Sequence, residues 1–147
     1  MGGGSLVEVP FTSIWSGALL RTLDGPFDCG VLRCAKQRRW PELWAELRAG
    51  GAVPAPTVDW ASEMVLAVVL PHQPSSAYQV RVQRLTSDGH GLRVHARLSE
   101  EDGGFDLPMQ PCHVIRTETR RGPVELVLRD ETRARTQPEG QTGDTLS

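Results

Sequence analysis

The sequence predicts an α+β fold that is mostly β: an antiparallel, sandwich-like meander of strands with one packed helix at about 41–49. Two stretches with apolar residues at every second position, Tyr78–Val82 and Leu92–Leu98, indicate half-buried strands. A continuous, valine-rich apolar run at Met64–Leu70 indicates a strand that is buried on both faces. One further segment has its apolar residues at helical spacing, so the sheet is expected to carry a single helix.

The helix is predicted by large apolar residues that share one face. They follow the i, i+3, i+4, i+7 pattern and are Trp40, Leu43, Trp44 and Leu47. Pro41 suits the first turn, where a missing backbone N–H costs nothing, and Gly50-Gly51 favours a stop. Because so short a helix is unstable alone, its tryptophan face is expected to pack on the sheet.

The remaining strands are predicted from apolar segments bounded by turn residues. They cover residues 7–15, 31–35, 112–117 and 124–128. Turn residues at 87–91 predict a hairpin between the two alternating strands, and those at 23–26 predict a turn between the first two. The last two strands are expected to complete the meander, and residues 100–111 are expected to form a long loop.

Composition excludes some classes of protein. The chain has 147 residues and a formal net charge of −2, from 16 basic and 18 acidic groups. A protein held on nucleic acid by bulk charge would be strongly basic, so no nucleic-acid partner is expected. No apolar run approaches the roughly 20 residues that cross a bilayer, so no membrane insertion is expected.

The two ends are expected to lie outside the fold. Residues 1–5 are predicted to be a flexible N-terminus, residues 6–130 a single domain, and residues 131–147 a disordered tail whose only sizeable apolar side chain is Leu146. The N-terminus shows no basic residue and no apolar segment of the kind that forms a signal peptide. A cytoplasmic location is therefore the default expectation.

The three cysteines do not predict a disulfide framework or a metal site. Cys29 and Cys34 have a spacing that zinc sites allow, but the only second pair is Cys112-His113. Adjacent side chains on a strand point to opposite faces, so these two are not expected to share an ion. Cys34 and Cys112 are predicted to be small buried hydrophobes, and neither a metal nor another cofactor is expected.

Motifs for catalysis are missing from the sequence. No G-x-S-x-G nucleophile motif occurs, and the glycine pairs match neither the P-loop nor the dinucleotide-binding pattern. Acidic residues are spread over loops and strand ends without a spacing that selects a pair. The chain is therefore predicted not to be an enzyme, and no catalytic residue is assigned.

Several basic side chains share the polar face of the predicted hairpin. Arg81, Arg93 and Arg97 alternate with apolar residues on the two strands, and His95 lies among them. This pattern is compatible with a surface for an acidic partner or a phosphate. A solvated sheet face whose charges pair with Glu125 across the sheet is the favoured interpretation, because any half-exposed sheet shows such alternation.

Two tryptophans have no periodic pattern around them. Trp15 and Trp60 are expected to be mostly buried, as large aromatic residues are, with a partly exposed interface anchor as the alternative.

The order of these features resembles the C-terminal domain of the protease complex subunit PrcB family. The helix segment R-R-W-P-E-L-W begins at Arg38, and V-D-W-A-S-E-M-V-L-A-V-V-L covers Val58–Leu70. P-S-S-A-Y-Q-V then covers Pro74–Val80, and a proline precedes the apolar strand at Pro111–Ile115. The resemblance runs from about Arg39 to Leu128. The sequence departs from the family at Ser76-Ala77, where members have Gly-Gly, and at Trp60, where they have phenylalanine.

The resemblance implies a non-catalytic accessory domain that presents its strand-connecting loops to a protein partner, with a protease among the candidates. The partner-binding residues expected from the turn and the basic face are Pro74, Ser75, Ser76, Tyr78, Arg81, Arg93 and Arg97. Many family members are exported or lipid-anchored. The oligomeric state is not predicted.

Two other functions stay open at this stage. The turn at 71–78 is similar to the N-P-T-T-G-Y loop of chagasin-type inhibitors, which implies a cysteine-protease inhibitor, although the glycine is absent here. A small ligand-binding domain or an uncharacterised enzyme is the second alternative, and it requires a pocket with converging polar groups.

Overall fold

A computed structural model of the chain describes residues 6–19, 29–48 and 54–132. Its regular elements, in chain order, are the strands β1 (Val7–Val9), β2 (Phe11–Leu19) and β3 (Gly30–Cys34), the helix α1 (Trp40–Leu47), and the strands β4 (Glu63–Val69), β5 (Tyr78–Ser87), β6 (Leu92–Glu100), β7 (Gln110–Glu118) and β8 (Val124–Glu131). A single 3-10 turn at Gln37–Arg39 leads into α1. The strands form two four-stranded sheets in the orders β1-β5-β6-β8 and β2-β7-β4-β3, which we call sheet A and sheet B.

The predicted first strand, residues 7–15, is two strands in different sheets. β1 pairs with the C-terminal end of β5 in sheet A, whereas β2 pairs with β7 in sheet B. The break falls at Pro10, which has no backbone N–H to offer to a ladder. The Pro10 carbonyl accepts a hydrogen bond from Thr117 Oγ1 at 2.7 Å, which fixes the corner.

The two sheets pack face to face around the main hydrophobic core. Alternate residues of β4, β5 and β6 point inward, as the sequence alternation predicts. Met64, Leu66, Leu85 and Val94 are fully buried there. β4 is buried on both faces, which confirms the interpretation of its continuous apolar run.

The outer face of sheet B is covered by the helix. Trp40, Leu43, Trp44 and Leu47 are all buried there, as predicted, against β4, β7 and β2. The helix begins one residue before the predicted range and ends at Leu47, and the Gly50-Gly51 stop lies outside the described residues.

The two remaining tryptophans complete this outer core. Trp15 packs edge-on against Trp44 with ring centroids 6.3 Å apart, and Trp60 packs against Trp40 at 6.4 Å. Both are partly buried and packed against the core, so neither is fully covered as the default expectation had it.

β5 and β6 form the predicted hairpin. Asp88 Oδ1 accepts hydrogen bonds from the backbone N–H groups of His90 (2.8 Å) and Gly91 (3.1 Å), so the turn closes as its residues predict. The expected meander is wrong beyond this point. β7 crosses to sheet B and lies between β2 and β4, and β8 returns to sheet A parallel to β6. Local turn residues indicated a reversal after 118 but not the sheet that the next strand joins.

The α+β, mostly β class with one packed helix is confirmed, and its strands form two sheets. β8 extends to Glu131 and Thr132 is buried, so the strand reaches into the segment predicted as a tail. The rest of that tail (133–147), residues 1–5 and the turn predicted at 23–26 lie outside the described residues. Within the described part of the chain, no helix has the length and apolar character that crossing a membrane requires.

Candidate partner-binding surface

Two connections leave the sheets at the same end of the molecule and lie side by side. Residues 70–77 join β4 to β5, and residues 101–109 join β6 to β7. Because β4 pairs with β7 and β5 pairs with β6, both antiparallel, the four strand ends meet there. We call these two connections the loop pair.

Backbone hydrogen bonds hold the loop pair together along its length. Gln73 and Met109 exchange two of them, at 2.8 and 3.2 Å. The Ser76 N–H donates to the Phe105 carbonyl at 3.0 Å, and the Phe105 N–H donates to Ser76 Oγ at 2.7 Å. Glu101 N–H donates to the Ala77 carbonyl at 3.0 Å. The loop pair is therefore a fixed surface, although it contains no regular secondary structure beyond one bridge.

Glycine at position 104 permits the close approach of the two loops. Gly103 and Gly104 have φ angles of +91° and +88°. A Cβ on Gly104 would lie 2.7 Å from the Ala77 backbone nitrogen, whereas a Cβ on Gly103 would meet nothing within 4 Å. Gly104 thus stands opposite Ser76-Ala77, the two residues at which the sequence departs from the PrcB pattern.

Apolar side chains stand out at the tip of the loop pair. Phe105 is 76% exposed and Leu107 is 42% exposed. Pro74 is exposed on the neighbouring loop, while Ser75 and Ser76 are partly buried by the hydrogen bonds that they make. An exposed phenylalanine on a fixed loop is a feature of protein-binding surfaces.

A groove runs from the loop pair between β2 and β5, and we call it the seam. β1 pairs only with Leu85, Thr86 and Ser87 of β5, and β2 pairs only with β7. Two cavities lie along this gap. One, of about 280 Å³, is lined by Ser16–Ala18 and by Ser76 and Tyr78–Arg81. The other, of about 460 Å³, lies further along β5, beside Ser13 and His113.

His113 joins the two sheets at the second cavity. Its Nδ1 accepts a hydrogen bond from the Val82 N–H at 2.8 Å, and its Nε2 lies 2.8 Å from Ser13 Oγ. Burial, together with the charge of Arg81, lowers the pKa of His113 to about 4, so the ring is neutral near pH 7.

The Ser13–His113 pair resembles a catalytic dyad but has the wrong tautomer. A neutral imidazole has one N–H, and because Nδ1 accepts from Val82, that proton is on Nε2. Nε2 then donates to Ser13 Oγ and has no lone pair with which to remove the serine proton. The pair therefore stabilises the seam and does not activate a nucleophile.

The basic residues divide into two groups. Arg93 lies near the 88–91 turn, at the opposite end of sheet A from the loop pair, and pairs with Glu125 at 3.4 Å, as the solvated-face interpretation expected. Arg97 pairs with Glu131 at 3.6 Å. Arg81 lies directly opposite Arg97 in the β5–β6 register.

Arg81 differs from these two residues, because it makes no ion pair with any residue that the structure describes. It lines both cavities of the seam.

The cysteines and histidines of the described ranges do not form a metal site, because no group of three or more ligating side chains comes together there. Cys34 and Cys112 are buried as predicted, and burial raises the pKa of the Cys112 thiol to about 12. Cys112 faces the helix-side core while His113 faces the seam, so the two neighbours point to opposite sides.

The structure brings most of the predicted site residues together. Five lie at the loop pair and the adjoining end of the seam: Pro74, Ser75, Ser76, Tyr78 and Arg81. Arg97 lines the second cavity, and Arg93 lies apart from both.

Sequence reasoning missed Phe105 as the exposed tip and His113 as the residue that holds the seam. The isolated aromatic between Gly104 and Asp106 was the available signal for the first, and nothing local marked the second.

Comparisons with protein-family models, with curated proteins and with solved structures give no match to this chain. The resemblance to the PrcB family therefore stays a prediction, and the function is argued from the geometry of the surface.

Proposed function

We propose that the chain is a non-catalytic accessory domain that binds a protein partner through the loop pair. The observation that carries this proposal is Phe105, 76% exposed at the tip of a loop whose backbone is fixed by hydrogen bonds to its neighbour. A fixed loop loses little conformational entropy on binding, so the burial of the ring contributes directly to affinity. Leu107 and Pro74 extend the same surface.

A protease is our candidate partner, and the support for it is the resemblance to the PrcB family at the helix, β4 and the 74–80 segment. A role as an accessory protein is compatible with the hydrogen bonding at His113, the one place in the described ranges where a serine and a histidine meet. That histidine is held in the tautomer that cannot act as a base toward Ser13.

Protease inhibition through the 71–78 turn is a second candidate function, favoured by the rigidity of that turn. The backbone N–H and C=O of Gln73 are both hydrogen-bonded to Met109, and Ser75 Oγ accepts a hydrogen bond from the Ala77 N–H at 3.2 Å. An inhibitor that inserts a loop into an active-site cleft needs such a preformed backbone.

The test is affinity purification with the tagged full chain from its native host at physiological salt. Phe105→Ala is compared with Val127→Ala, a control that removes another exposed apolar side chain, 40% exposed, from β8. We expect wild type and the control to recover the same partner, and Phe105→Ala to weaken its affinity about 30-fold, the effect of losing about 2 kcal/mol at a hot spot. Equal affinity of all three proteins would contradict the proposal.

The inhibitor alternative is separated by assays against papain-like and subtilisin-like proteases. Inhibition at micromolar concentration that is lost in Pro74→Ala or Ser76→Gly would establish the alternative. Partner recovery without inhibition of either protease would leave the accessory role alone.

A further inference from the structure

The edge of β5 that faces away from β6 has a strand partner near its C-terminal end and none near its N-terminal end. β1 covers only Leu85–Ser87, because it is three residues long and ends at the Pro10 corner. Along Tyr78–Val82 no strand of the described ranges pairs with the side of β5 that faces β2. Unpaired edges of this kind accept an added strand from another chain.

The direction of the free backbone groups follows from His113. The Val82 N–H points away from β6, since it donates to His113 Nδ1. Successive residues of a strand alternate in the edge to which their N–H and C=O groups point, so Tyr78 and Val80 present theirs to the seam as well. The Val82 N–H is already occupied, so the edge open to a partner ends there.

The cavity beside this edge carries one charge. Among the residues that line the 280 Å³ cavity, Arg81 alone is charged, and the rest are small, polar or apolar. Arg81 is exposed, lies opposite Arg97 and makes no ion pair with the described residues. Two like charges directly opposite each other repel, so a carboxylate placed beside Arg81 relieves that repulsion.

We propose that the seam binds an extended segment of a partner protein, which adds a strand to β5 along Tyr78–Val82 and places an acidic side chain against Arg81. This inference rests on the proposed interaction function and names the chemistry of the segment that the partner supplies. Backbone hydrogen bonds to Val80 provide affinity, and Arg81 selects the acidic side chain. The seam opens next to the loop pair, since Ser76 lines the same cavity, so one partner can occupy both surfaces.

The probe is a capped seven-residue peptide, Thr-Val-Thr-Glu-Thr-Val-Thr, titrated into the ¹⁵N-labelled full chain. We expect the backbone amides of Tyr78 and Val80 to shift while the Val82 amide, which His113 occupies, stays in place. A peptide with glutamine in place of the glutamate should bind about fivefold more weakly, the upper end for an exposed ion pair. Replacing the two threonines next to the glutamate by proline should abolish the amide shifts, because in an antiparallel pairing with the glutamate opposite Arg81 these are the residues that donate to the edge of β5.

Arg81→Glu gives the decisive comparison, with Arg93→Glu as the matched control on the same sheet face. Arg81→Glu should reverse the preference, so that a lysine-centred peptide binds better than the glutamate peptide, while Arg93→Glu should keep the wild-type order. Shifts that do not follow the peptide charge, or no shifts at Tyr78 and Val80, would overturn the proposal. A concentration-dependent dimer formed through this edge without peptide would also overturn it, since the occupant would then be a second copy.

Phe105→Ala separates this inference from the proposed function. The substitution lies outside the cavity beside Tyr78–Val82, so peptide binding should be unchanged even where partner capture is lost. Loss of peptide binding in Phe105→Ala would show that the seam is not an independent site.

Discussion

The helix-covered face of sheet B and the seam are built on different physical principles. On the helix side, apolar side chains of α1, β2, β4 and β7 close over one another, and four tryptophans fill the layer. At the seam, β2 and β5 face each other without pairing, and a histidine, serines and two arginines line the gap. The first region contributes stability through burial, whereas the seam leaves polar groups, and the adjoining loop pair leaves Phe105, available to another molecule.

The largest expected effect is on the helix side. Trp44 is 4% exposed and contacts the rings of Trp15 and Trp40. Trp44→Ala should lower the free energy of unfolding by about 3–5 kcal/mol, as large-to-small substitutions in a core do. Urea unfolding followed by circular dichroism measures the change.

Phe105→Ala is the matched aromatic substitution on the loop pair. Its effect on the free energy of unfolding should stay below about 0.5 kcal/mol, because the ring is largely exposed. A loss of stability comparable to that of Trp44→Ala would mean that the loop aromatic is part of the core and would break the contrast between the two regions.

A smaller effect is expected when His113 is protonated. The pKa of His113 is lowered from 6.5 to about 4 by burial, then by the charge of Arg81. The unfolded chain therefore binds more protons between these values, so this contribution is complete above pH 6.5 and is lost as the pH falls toward 4. Between pH 7 and pH 5 the contribution of His113 to the free energy of unfolding should fall by about 2 kcal/mol.

His113→Asn is the test variant for this pH dependence, because its amide oxygen can accept from the Val82 N–H without titrating. Between pH 7 and pH 5 its free energy of unfolding should fall by about 2 kcal/mol less than that of the wild type. His95→Gln is the control: burial and the charges of Arg84 and Arg93 also lower the pKa of His95, but that residue lies on the outer face of sheet A. If His113→Asn kept the wild-type pH dependence, the assignment of the seam histidine would be wrong.

The glycines of the loop pair test a difference of about 1 kcal/mol between two neighbouring variants. Gly103→Ala and Gly104→Ala impose the same positive φ on alanine, which costs about 1 kcal/mol. Only Gly104→Ala adds a collision with the Ala77 backbone. It should therefore destabilise the protein by about 1 kcal/mol more than Gly103→Ala. It should also shift the Ser76 and Phe105 amide resonances, and equal effects of the two variants would show that the loops are not in contact.

The contrast between the helix-covered face and the seam also explains which elements can be predicted from the sequence. Helical spacing predicted the face of α1 from Trp40 to Leu47, and alternation predicted β5 and β6, because both patterns reflect burial along a single element. The corner at Pro10 and the parallel pairing of β8 depend on contacts between distant segments, and local residues do not specify those.

The candidate site shows the same division. Pro74, Ser76, Tyr78 and Arg81 were predicted from their local pattern and the family resemblance. For Phe105 the sequence predicts only a long loop, because its position beside Ser76 follows from the β4–β7 and β5–β6 pairings. The role of His113 follows from a contact between the two sheets, which a pattern along one strand does not contain.

Hydrogen–deuterium exchange of the chain with and without its captured partner tests the central claim most directly. The account predicts that the partner slows exchange in residues 74–81 and 103–107 and leaves α1 unchanged. Slower exchange confined to α1 and the outer face of sheet B, with the loop pair and seam unaffected, would contradict it.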